Sequence, residues 1–239
     1  MRAWFRLFTF AITATLHFGR FAFRALFSNK DRLSLGLEVR RRWLRFIMPI
    51  MGIRLEVKGT PPTEPGIVVG NHVSYLDPLA LLHDTLALPV AKAEVGKWPL
   101  IGPLAGGTGI LFVKRSSKES RSNTKEAIAN AVKEGRTILN YPEGTTHHEP
   151  KTLPFKLGAF SIAAEHGFPI YPTAIWYDRE EAAWVGDDTF LPHFLRVFRK
   201  KHLTMYFSYG PRLEGKNAEA LLEQAQSWID QELLKMYNV

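Results

Sequence analysis

The stretch GIVVGNHVSYLDPLALL, residues 66–82, contains the change of pattern that decides the fold. Its first part is a short apolar run rich in β-branched residues, which is typical of a buried strand. Asp77 and Pro78 then indicate a helix start, because aspartate caps helices and proline suits the first helical position. The stretch therefore predicts a strand, a tight connection and a helix, with Asn71 and His72 at the carboxyl end of the strand.

From residue 54 onward, similar apolar runs alternate with stretches of helical periodicity. This alternation predicts an α/β fold, with a mixed, mostly parallel sheet of about seven strands and helices on both faces. In such folds the chemistry lies at the carboxyl ends of the strands. The predicted strands are 54–59, 66–71, 90–95, 110–115, 137–143, 169–177 and 203–210. The predicted helices are 78–87, 118–134, 155–166 and 217–236.

The charge of the chain is unevenly distributed. The 239 residues carry a net charge of +8, but residues 1–58 contain twelve lysines and arginines against three acids. The remaining residues contain 19 basic and 20 acidic side chains. The chain has no cysteine, which excludes disulfides, thiolate metal sites and a cysteine nucleophile. We therefore predict a near-neutral α/β domain, residues 54–239, with a basic N-terminal attachment, residues 1–53.

The pattern of the attachment predicts a helical hairpin that lies on a membrane. Its longest uncharged run, residues 7–19, is shorter than the ~20 residues of a membrane span. On a helix, five basic side chains fall in one narrow sector of an otherwise apolar surface, which favours an interfacial helix on anionic headgroups. A second basic and aromatic segment, 33–53, completes the hairpin. The five side chains are Arg2, Arg6, His17, Arg20 and Arg24.

Two other interpretations of the attachment stay open, a core helix with a solvated basic face and a single tilted membrane span. Nucleic-acid binding is disfavoured, because the many aromatic and leucine side chains would serve no purpose on a phosphate backbone. We expect the protein to associate with the cytoplasmic face of a membrane.

The spacing of His72 and Asp77 predicts a catalytic pair. A turn between strand and helix can fold the Asp77 carboxylate back onto one imidazole nitrogen, which fixes the tautomer and aims the other nitrogen outward. This arrangement is a general base with its orienting carboxylate, yet the chain has no G-x-S-x-G nucleophile motif. Such a base deprotonates a substrate hydroxyl or a water. The alternative is that His72 closes a turn and Asp77 only caps a helix.

Four short motifs, in order, give the chain a resemblance to a known family. Over roughly residues 54–180 it resembles the glycerolipid acyltransferases, which act on lysophosphatidic acid and related lysolipids. Each motif is weak alone, but four in order are specific. The residues that match N-H-x4-D, G-x-x-F-x-x-R, E-G-T and the final proline are Asn71, His72 and Asp77; Gly109, Phe112 and Arg115; Glu143, Gly144 and Thr145; and Pro172.

The resemblance implies transfer of a fatty acyl group from a thioester, acyl-CoA or acyl carrier protein, to a lysolipid hydroxyl. The acceptor that it implies first is 1-acyl-sn-glycerol-3-phosphate (lysophosphatidic acid), which gives phosphatidic acid. His72 would be the base and Asp77 its orienting group, with no metal and no bound cofactor. Backbone N–H groups near Gly144 are expected to bind the oxyanion. The expected substrate-binding residues are Asn71, Gly109, Phe112, Lys114, Arg115, Glu143, Gly144, Thr145 and Pro172.

The third motif departs from the family at Thr146, where the usual residue is an arginine that helps to bind the acceptor's phosphate. This departure and the downstream segment 183–198 keep lyso-ornithine lipid and other lysophospholipids open as acceptors. A non-catalytic lipid-binding protein and a hydrolase in which His72 activates water also stay open. The His-His-Glu run at 147–149 is predicted to be a polar loop, because no third ligand lies at a recognisable metal-site spacing.

Overall fold

The predicted sheet is present in the computed structural model, which describes residues 1–28, 31–97, 109–113 and 118–237. Its spatial order is β1-β7-β6-β2-β5-β3-β4. Neighbouring strands are parallel except β6 and β7, which are antiparallel, so the predicted mixed, mostly parallel sheet is confirmed. The strands are β1 (Ile53–Lys58), β2 (Ile67–Gly70), β3 (Leu88–Lys92), β4 (Leu111–Val113), β5 (Ile138–Asn140), β6 (Ile170–Tyr177) and β7 (Leu203–Tyr209).

The strand directions bring several connections to one edge of the sheet. The strand β2 lies between β5 and β6 and is parallel to both, with Val69 opposite Asn140 and Gly70 opposite Thr173. The carboxyl ends of these three strands therefore lie at the same edge, which we call the carboxyl edge. Because β7 is antiparallel to β6, the amino end of β7 lies there too.

Helices cover both faces of the sheet, as predicted. On one face α2, α3 and α6 pack over Ile175 and Phe207. On the other face α4, α5 and α7 pack over Ile138 and Ile170. The helices are α1 (Arg2–Phe27), α2 (Arg32–Met51), α3 (Asp77–Asp84), α4 (Lys118–Lys133), α5 (Gly158–His166), α6 (Phe190–Phe198) and α7 (Ala218–Tyr237).

Two predictions of secondary structure are wrong. No helix is predicted over 190–198, yet α6 forms there. Pro192 does not prevent this helix, because it lies in the first turn, where a backbone N–H has no partner within the helix. The predicted strand 90–95 is displaced, since β3 ends at Lys92 and a 3₁₀ turn occupies Ala93–Lys97.

The N-terminal hairpin is formed by α1 and α2. The indole of Trp43 on α2 packs edge-on against Phe10 and Phe18 of α1, with ring centroids 5.0 and 5.8 Å apart, and its Nε1 donates to Thr13 Oγ1 at 3.1 Å. The helix α2 also enters the core, where Leu44 is buried. Within the described residues, no helix is both long enough and apolar enough to span a bilayer.

The structure corrects the prediction that Arg6 lies on lipid headgroups. This side chain is only 6% exposed and faces the protein. Its guanidinium donates to the carbonyls of Phe198, Lys200 and Lys201, at 3.0, 2.6 and 2.7 Å. The carbonyl of Phe198 belongs to the last residue of α6 and the other two lie just beyond the helix, where a cation is favoured by the helix dipole. Arg6 therefore attaches α1 to the α/β domain.

Candidate active site

The side chain of Asn71 extends the sheet by one step beyond β2. Its Nδ2 donates to the carbonyl of Ile175 and its Oδ1 accepts from the Ile175 N–H, both at 2.9 Å. The carboxamide thus replaces a backbone peptide in the ladder with β6, while the chain turns away toward His72. Asn71 is buried, and contact with substrate at this position stays a prediction.

The next residue, His72, is hydrogen bonded to Asp77 as the spacing predicts. Its Nδ1 lies 2.7 Å from Asp77 Oδ2. Since Nδ1 is hydrogen bonded to Asp77, Nε2 is the ring nitrogen that can bond to a substrate. The imidazole is 21% exposed, so a substrate can reach it. The geometry is therefore that of a general base with a fixed tautomer. The imidazole also stacks on Tyr141, with ring centroids 4.1 Å apart and planes 8° from parallel.

The Asp77 carboxylate is completely buried and held by several donors. Oδ2 also accepts the backbone N–H groups of Val73 and Ser74, at 2.7 and 2.9 Å, and Oδ1 accepts the hydroxyl of Tyr177. Burial and the neighbouring Asp77 charge raise the pKa of Tyr177 well above its usual value, so this phenol stays a neutral donor. Asp77 also begins α3, where the helix N-terminus favours a negative charge.

Glu143, in the connection after β5, ties three segments together. Its Oε2 accepts the backbone N–H of His72 at 2.6 Å, and its Oε1 accepts from the Leu153 N–H at 3.0 Å. Oε1 also lies 2.7 Å from Nε2 of His147, whose Nδ1 accepts the Glu149 N–H at 3.1 Å. Glu143 is buried, and both of its carboxylate oxygens are hydrogen bonded within the protein; contact with substrate here stays a prediction.

The rest of the third motif forms a tight turn. Gly144 has a positive φ of 75°, and its N–H donates to the carbonyl of Tyr141 at 3.2 Å. That N–H is thus engaged within the turn, and an oxyanion site at backbone N–H groups near Gly144 stays a prediction. Thr145 is exposed beside the site.

Thr146, which replaces the family's usual arginine, binds a distant part of the chain. Its hydroxyl donates to the carbonyl of Trp184, and the Trp184 N–H donates to the carbonyl of Val73 at 2.9 Å. The Trp184 indole meets Tyr75 edge-on, with ring centroids 4.9 Å apart. Because Val73 and Tyr75 belong to the turn between His72 and Asp77, the segment around Trp184 forms one wall of the site.

His193 of α6 supports this wall from behind. It is buried, with Nε2 3.1 Å from the carbonyl of Ala183 and Nδ1 3.3 Å from the hydroxyl of Tyr75. Burial lowers the pKa of His193, although the hydrogen bond to Ala183 opposes this. A neutral imidazole with Nε2–H as donor and Nδ1 as acceptor satisfies both contacts.

The second and fourth motifs are only partly described. Lys114 and Arg115 lie outside the described residues. Gly109 has φ 73°, and a Cβ there would come within 2.5 Å of Leu88 and 2.8 Å of Leu33, so glycine is required. The Phe112 ring is 39% exposed. Pro172 is buried in β6 opposite Val69, and its carbonyl accepts the Gly210 N–H at 2.8 Å; contact with substrate at these positions stays a prediction.

Several residues of the site are not found by sequence reasoning. Tyr177 is the last residue of β6, and Tyr141 directly follows β5, so both lie at the carboxyl edge. This position is the sequence signal that their rings could face His72. His147 lies four residues after Glu143, a spacing that could have suggested the pair. Nothing in the sequence connects Trp184 with Thr146, because their contact depends on the tertiary fold. No group of three or more potential metal-ligating side chains is found in the part of the chain that is described.

Comparison with known proteins gives consistent matches. The Acyltransferase family model matches residues 54–176. The lyso-ornithine lipid O-acyltransferase of Pseudomonas aeruginosa is 32% identical over 207 residues, which cover 83% of this chain and 80% of the relative. The human 1-acyl-sn-glycerol-3-phosphate acyltransferase alpha is 33% identical over 148 residues, 57% of this chain and 50% of the relative.

A solved structure has the same fold. The crystal structure of the 1-acyl-sn-glycerophosphate (LPA) acyltransferase PlsC from Thermotoga maritima aligns with a TM-score of 0.73 and 19% sequence identity. The alignment covers 99% of this chain and 95% of the other. The similarity therefore includes the two N-terminal helices as well as the sheet.

Proposed function

The chain belongs to the glycerolipid acyltransferase family and is an O-acyltransferase, and on that premise we propose that it transfers a fatty acyl group from an acyl thioester to the hydroxyl of a lysolipid. The observation that carries this proposal is the 2.7 Å contact between His72 Nδ1 and the buried carboxylate of Asp77. It provides a base at the carboxyl edge, and among the described residues no serine or threonine hydroxyl is hydrogen bonded to its imidazole. The acceptor's own hydroxyl then serves as the nucleophile.

In the proposed reaction, Nε2 of His72 takes the proton of the acceptor hydroxyl as its oxygen attacks the thioester carbonyl. The C–O bond of the new ester forms, and the C–S bond of the thioester breaks. The proton on His72 passes to the departing sulfur, which regenerates the neutral base. Asp77 keeps Nδ1 protonated throughout and stabilises the imidazolium that forms between the two steps.

We propose lyso-ornithine lipid as the first acceptor. Three relatives bear the name lyso-ornithine lipid O-acyltransferase, and the one from Rhizobium meliloti is 29% identical over 83% of this chain. At the position of the phosphate-binding arginine, the hydroxyl of Thr146 is engaged with Trp184. This order reverses the expectation from sequence alone, which puts 1-acyl-sn-glycerol-3-phosphate first.

1-acyl-sn-glycerol-3-phosphate remains the second candidate acceptor. The relatives with that activity in their names, including the human enzyme, support it. Arg115, the second-motif match, and its neighbour Lys114 would supply the cations for a phosphate monoester. The acyl donor, acyl-CoA or acyl carrier protein, is proposed for either acceptor, with no bound cofactor or metal.

Membrane association is proposed from the outward face of α1. Large apolar side chains at regular helical spacing are exposed along it, and the cations Arg20 and Arg24 lie along one border of that face. Such a face suits burial in the headgroup region of an anionic bilayer, where a lysolipid acceptor resides. The exposed side chains are Trp4, Phe5, Phe8, Ile12, Leu16, Phe23, Leu26 and Phe27.

The proposal is tested by acyl transfer from labelled acyl-CoA and acylated carrier protein to a panel of lysolipids in vesicles. The panel contains lyso-ornithine lipid, 1-acyl-sn-glycerol-3-phosphate and lysophosphatidylcholine. We expect the highest kcat/KM with lyso-ornithine lipid. Highest activity with 1-acyl-sn-glycerol-3-phosphate would restore the first expectation from the sequence, and no transfer to any acceptor by folded protein would contradict the proposed function.

A further inference from the structure

The aromatic ring beneath His72 is not part of any motif considered above. Tyr141 directly follows β5, and its ring lies 4.1 Å from the imidazole, with the two planes 8° from parallel. The Nδ1 contact with Asp77 and the stacking contact with Tyr141 hold the imidazole in two different directions. One fixes the ring at its edge, and the other covers one of its faces.

Tyr141 contacts His72 through its ring and not through its hydroxyl. The side chain is 92% buried, and its hydroxyl has no hydrogen-bond partner among the described residues. Burial, and secondarily the charge of Asp77, raise the pKa of Tyr141 well above its usual value, so the phenol is not a base at neutral pH. A buried hydroxyl without a partner weakens folding, so no stabilising hydrogen bond explains this side chain.

The face of an aromatic ring has a property that the proposed reaction needs. Its π electrons give it a negative quadrupole, which attracts a cation placed over the ring within about 6 Å. In the proposed reaction, His72 gains a positive charge when it accepts the hydroxyl proton. Attraction by the ring is therefore stronger after proton transfer than before it, which is the condition for accelerating a reaction step.

We propose that Tyr141 is a positioning residue that holds the plane of His72 and stabilises its protonated form through the face of its ring. This inference rests on the proposed function, in which His72 accepts a proton. It assigns the residue a role in the rate of the chemical step rather than in substrate binding. Its contribution is that of one partly desolvated cation–π contact, about 3- to 30-fold in kcat.

The test replaces the ring in steps and measures kcat and KM separately. Tyr141→Leu keeps an apolar cover but removes the π face, and we expect kcat to fall about 3- to 30-fold with little change in either KM. Tyr141→Phe should recover most of that loss. Phenylalanines with increasing numbers of fluorine atoms at position 141 should lower kcat stepwise, because fluorine withdraws electron density from the ring at nearly constant size.

A matched control separates this effect from loss of buried aromatic volume. Tyr171 is 92% buried as well, but lies near the opposite, amino end of β6. Tyr171→Leu should lower the unfolding temperature by an amount similar to Tyr141→Leu and leave kcat within about twofold of the wild type. Should Tyr141→Leu fail to fold, the fluorinated series still decides the question.

Three results would overturn the inference. They are a kcat of Tyr141→Leu equal to that of the wild type, a loss in Tyr141→Phe as large as in Tyr141→Leu, and a flat response to fluorination. In each case the proposed function is still supported if the wild-type enzyme transfers acyl groups and His72→Ala abolishes this activity. A wild type without transfer to any lysolipid would instead contradict the proposed function, and this inference with it.

Discussion

At the residue scale, the Asp77 carboxylate receives hydrogen bonds from opposite sides. The backbone of Val73 and Ser74 and the imidazole of His72 approach Oδ2, and the Tyr177 hydroxyl approaches Oδ1. Each of these groups can donate a hydrogen bond, so together they hold the carboxylate in one orientation. That orientation determines which nitrogen of His72 can meet a substrate.

Replacing the carboxylate should reveal this dependence. In Asp77→Asn the amide can donate to Nδ1, which moves the imidazole proton to Nε2 and removes the base. We expect kcat to fall about 10²- to 10⁴-fold, with KM changed by less than about threefold. Steady-state kinetics on the best lysolipid acceptor measure both. Tyr177→Phe is the matched variant, because it removes a donor from the same carboxylate but leaves the charge, and it should lose less than about tenfold.

Thr146 offers a test of acceptor choice. Thr146→Arg breaks the hydrogen bond to the Trp184 carbonyl and restores the family's usual cation, so kcat/KM for 1-acyl-sn-glycerol-3-phosphate relative to lyso-ornithine lipid should rise at least tenfold. Thr146→Val also removes the hydroxyl but adds no charge, and this ratio should stay within about threefold of the wild type. An unchanged ratio in Thr146→Arg would show that position 146 does not select the acceptor.

Single residues of the site differ in how far the sequence could predict them. The contact between His72 and Asp77 could be predicted, because only one turn separates them and their spacing permits it. Tyr177 could not, since it reaches Asp77 across 100 residues through the register of β2 and β6. For Asn71 the sequence predicts substrate binding, which stays a prediction, but it does not predict the hydrogen bonds between its carboxamide and the backbone of Ile175.

At the scale of the element, α1 presents an apolar face to the outside. The combined variant Phe5→Ser, Phe8→Ser, Ile12→Ser and Leu16→Ser removes four of its exposed side chains. Because each contributes about 1–2 kcal/mol on transfer from water to an apolar environment, partition onto vesicles should fall at least 100-fold. Cosedimentation with vesicles that contain anionic lipid measures it.

The control for this experiment changes exposed apolar residues elsewhere. Val57→Ser and Leu234→Ser lie on β1 and α7, away from α1, and should leave cosedimentation unchanged. If the α1 variant still sediments with vesicles as the wild type does, α1 is not the membrane-binding element.

The orientation of α1 shows where a helical pattern is insufficient. The sequence places the basic residues in one narrow sector and predicts the helix, but the pattern does not say which sector the domain covers. The carbonyls at the end of α6 attract Arg6 inward and thereby set the rotation of the helix. Since α6 itself was not predicted, this partner could not be inferred from the sequence.

At the scale of the whole molecule, one buried acid joins α7 to the β1–β7 end of the sheet. Glu232 accepts from Lys58 of β1 at 3.1 Å, from Ser208 of β7 at 2.8 Å and from Lys235 at 2.5 Å. Burial alone would raise the pKa of Glu232, but the hydrogen bonds from Lys235, Ser208 and Lys58 outweigh it and lower the pKa to about 2.

This lowered pKa predicts part of the acid sensitivity of the fold. The stabilisation is complete above the ordinary glutamate pKa of 4.5 and is lost as pH falls toward 2. Because both lysines are exposed, we expect a loss of about 2 kcal/mol in the free energy of unfolding. Urea unfolding between pH 6 and about 2.5 measures it. Glu232→Gln should be less stable at pH 6 and flatter below pH 5, whereas the exposed Glu223→Gln on the same helix should follow the wild type.

The sheet and its two layers of helices could be predicted, because alternation of strands and helices leaves few other architectures. Asn71, His72 and Glu143 all follow strands that end at the carboxyl edge, as the sequence predicts, and the chemistry at this edge stays a prediction. The wall formed by Thr146, Trp184 and Tyr75 could not be predicted, because it depends on a loop that follows β6 and folds back over the site. The site therefore combines local motifs with tertiary contacts.

The central claim is that His72 is the base for direct acyl transfer to a lysolipid hydroxyl. The measurement that tests it most directly is kcat for acyl transfer to the best acceptor in vesicles, for the wild type and His72→Ala, with equal unfolding temperatures as proof of fold. We expect His72→Ala to lose at least about 10²- to 10⁴-fold in kcat, the contribution of a general base. A His72→Ala protein that is folded and transfers acyl groups at the wild-type rate would contradict the account.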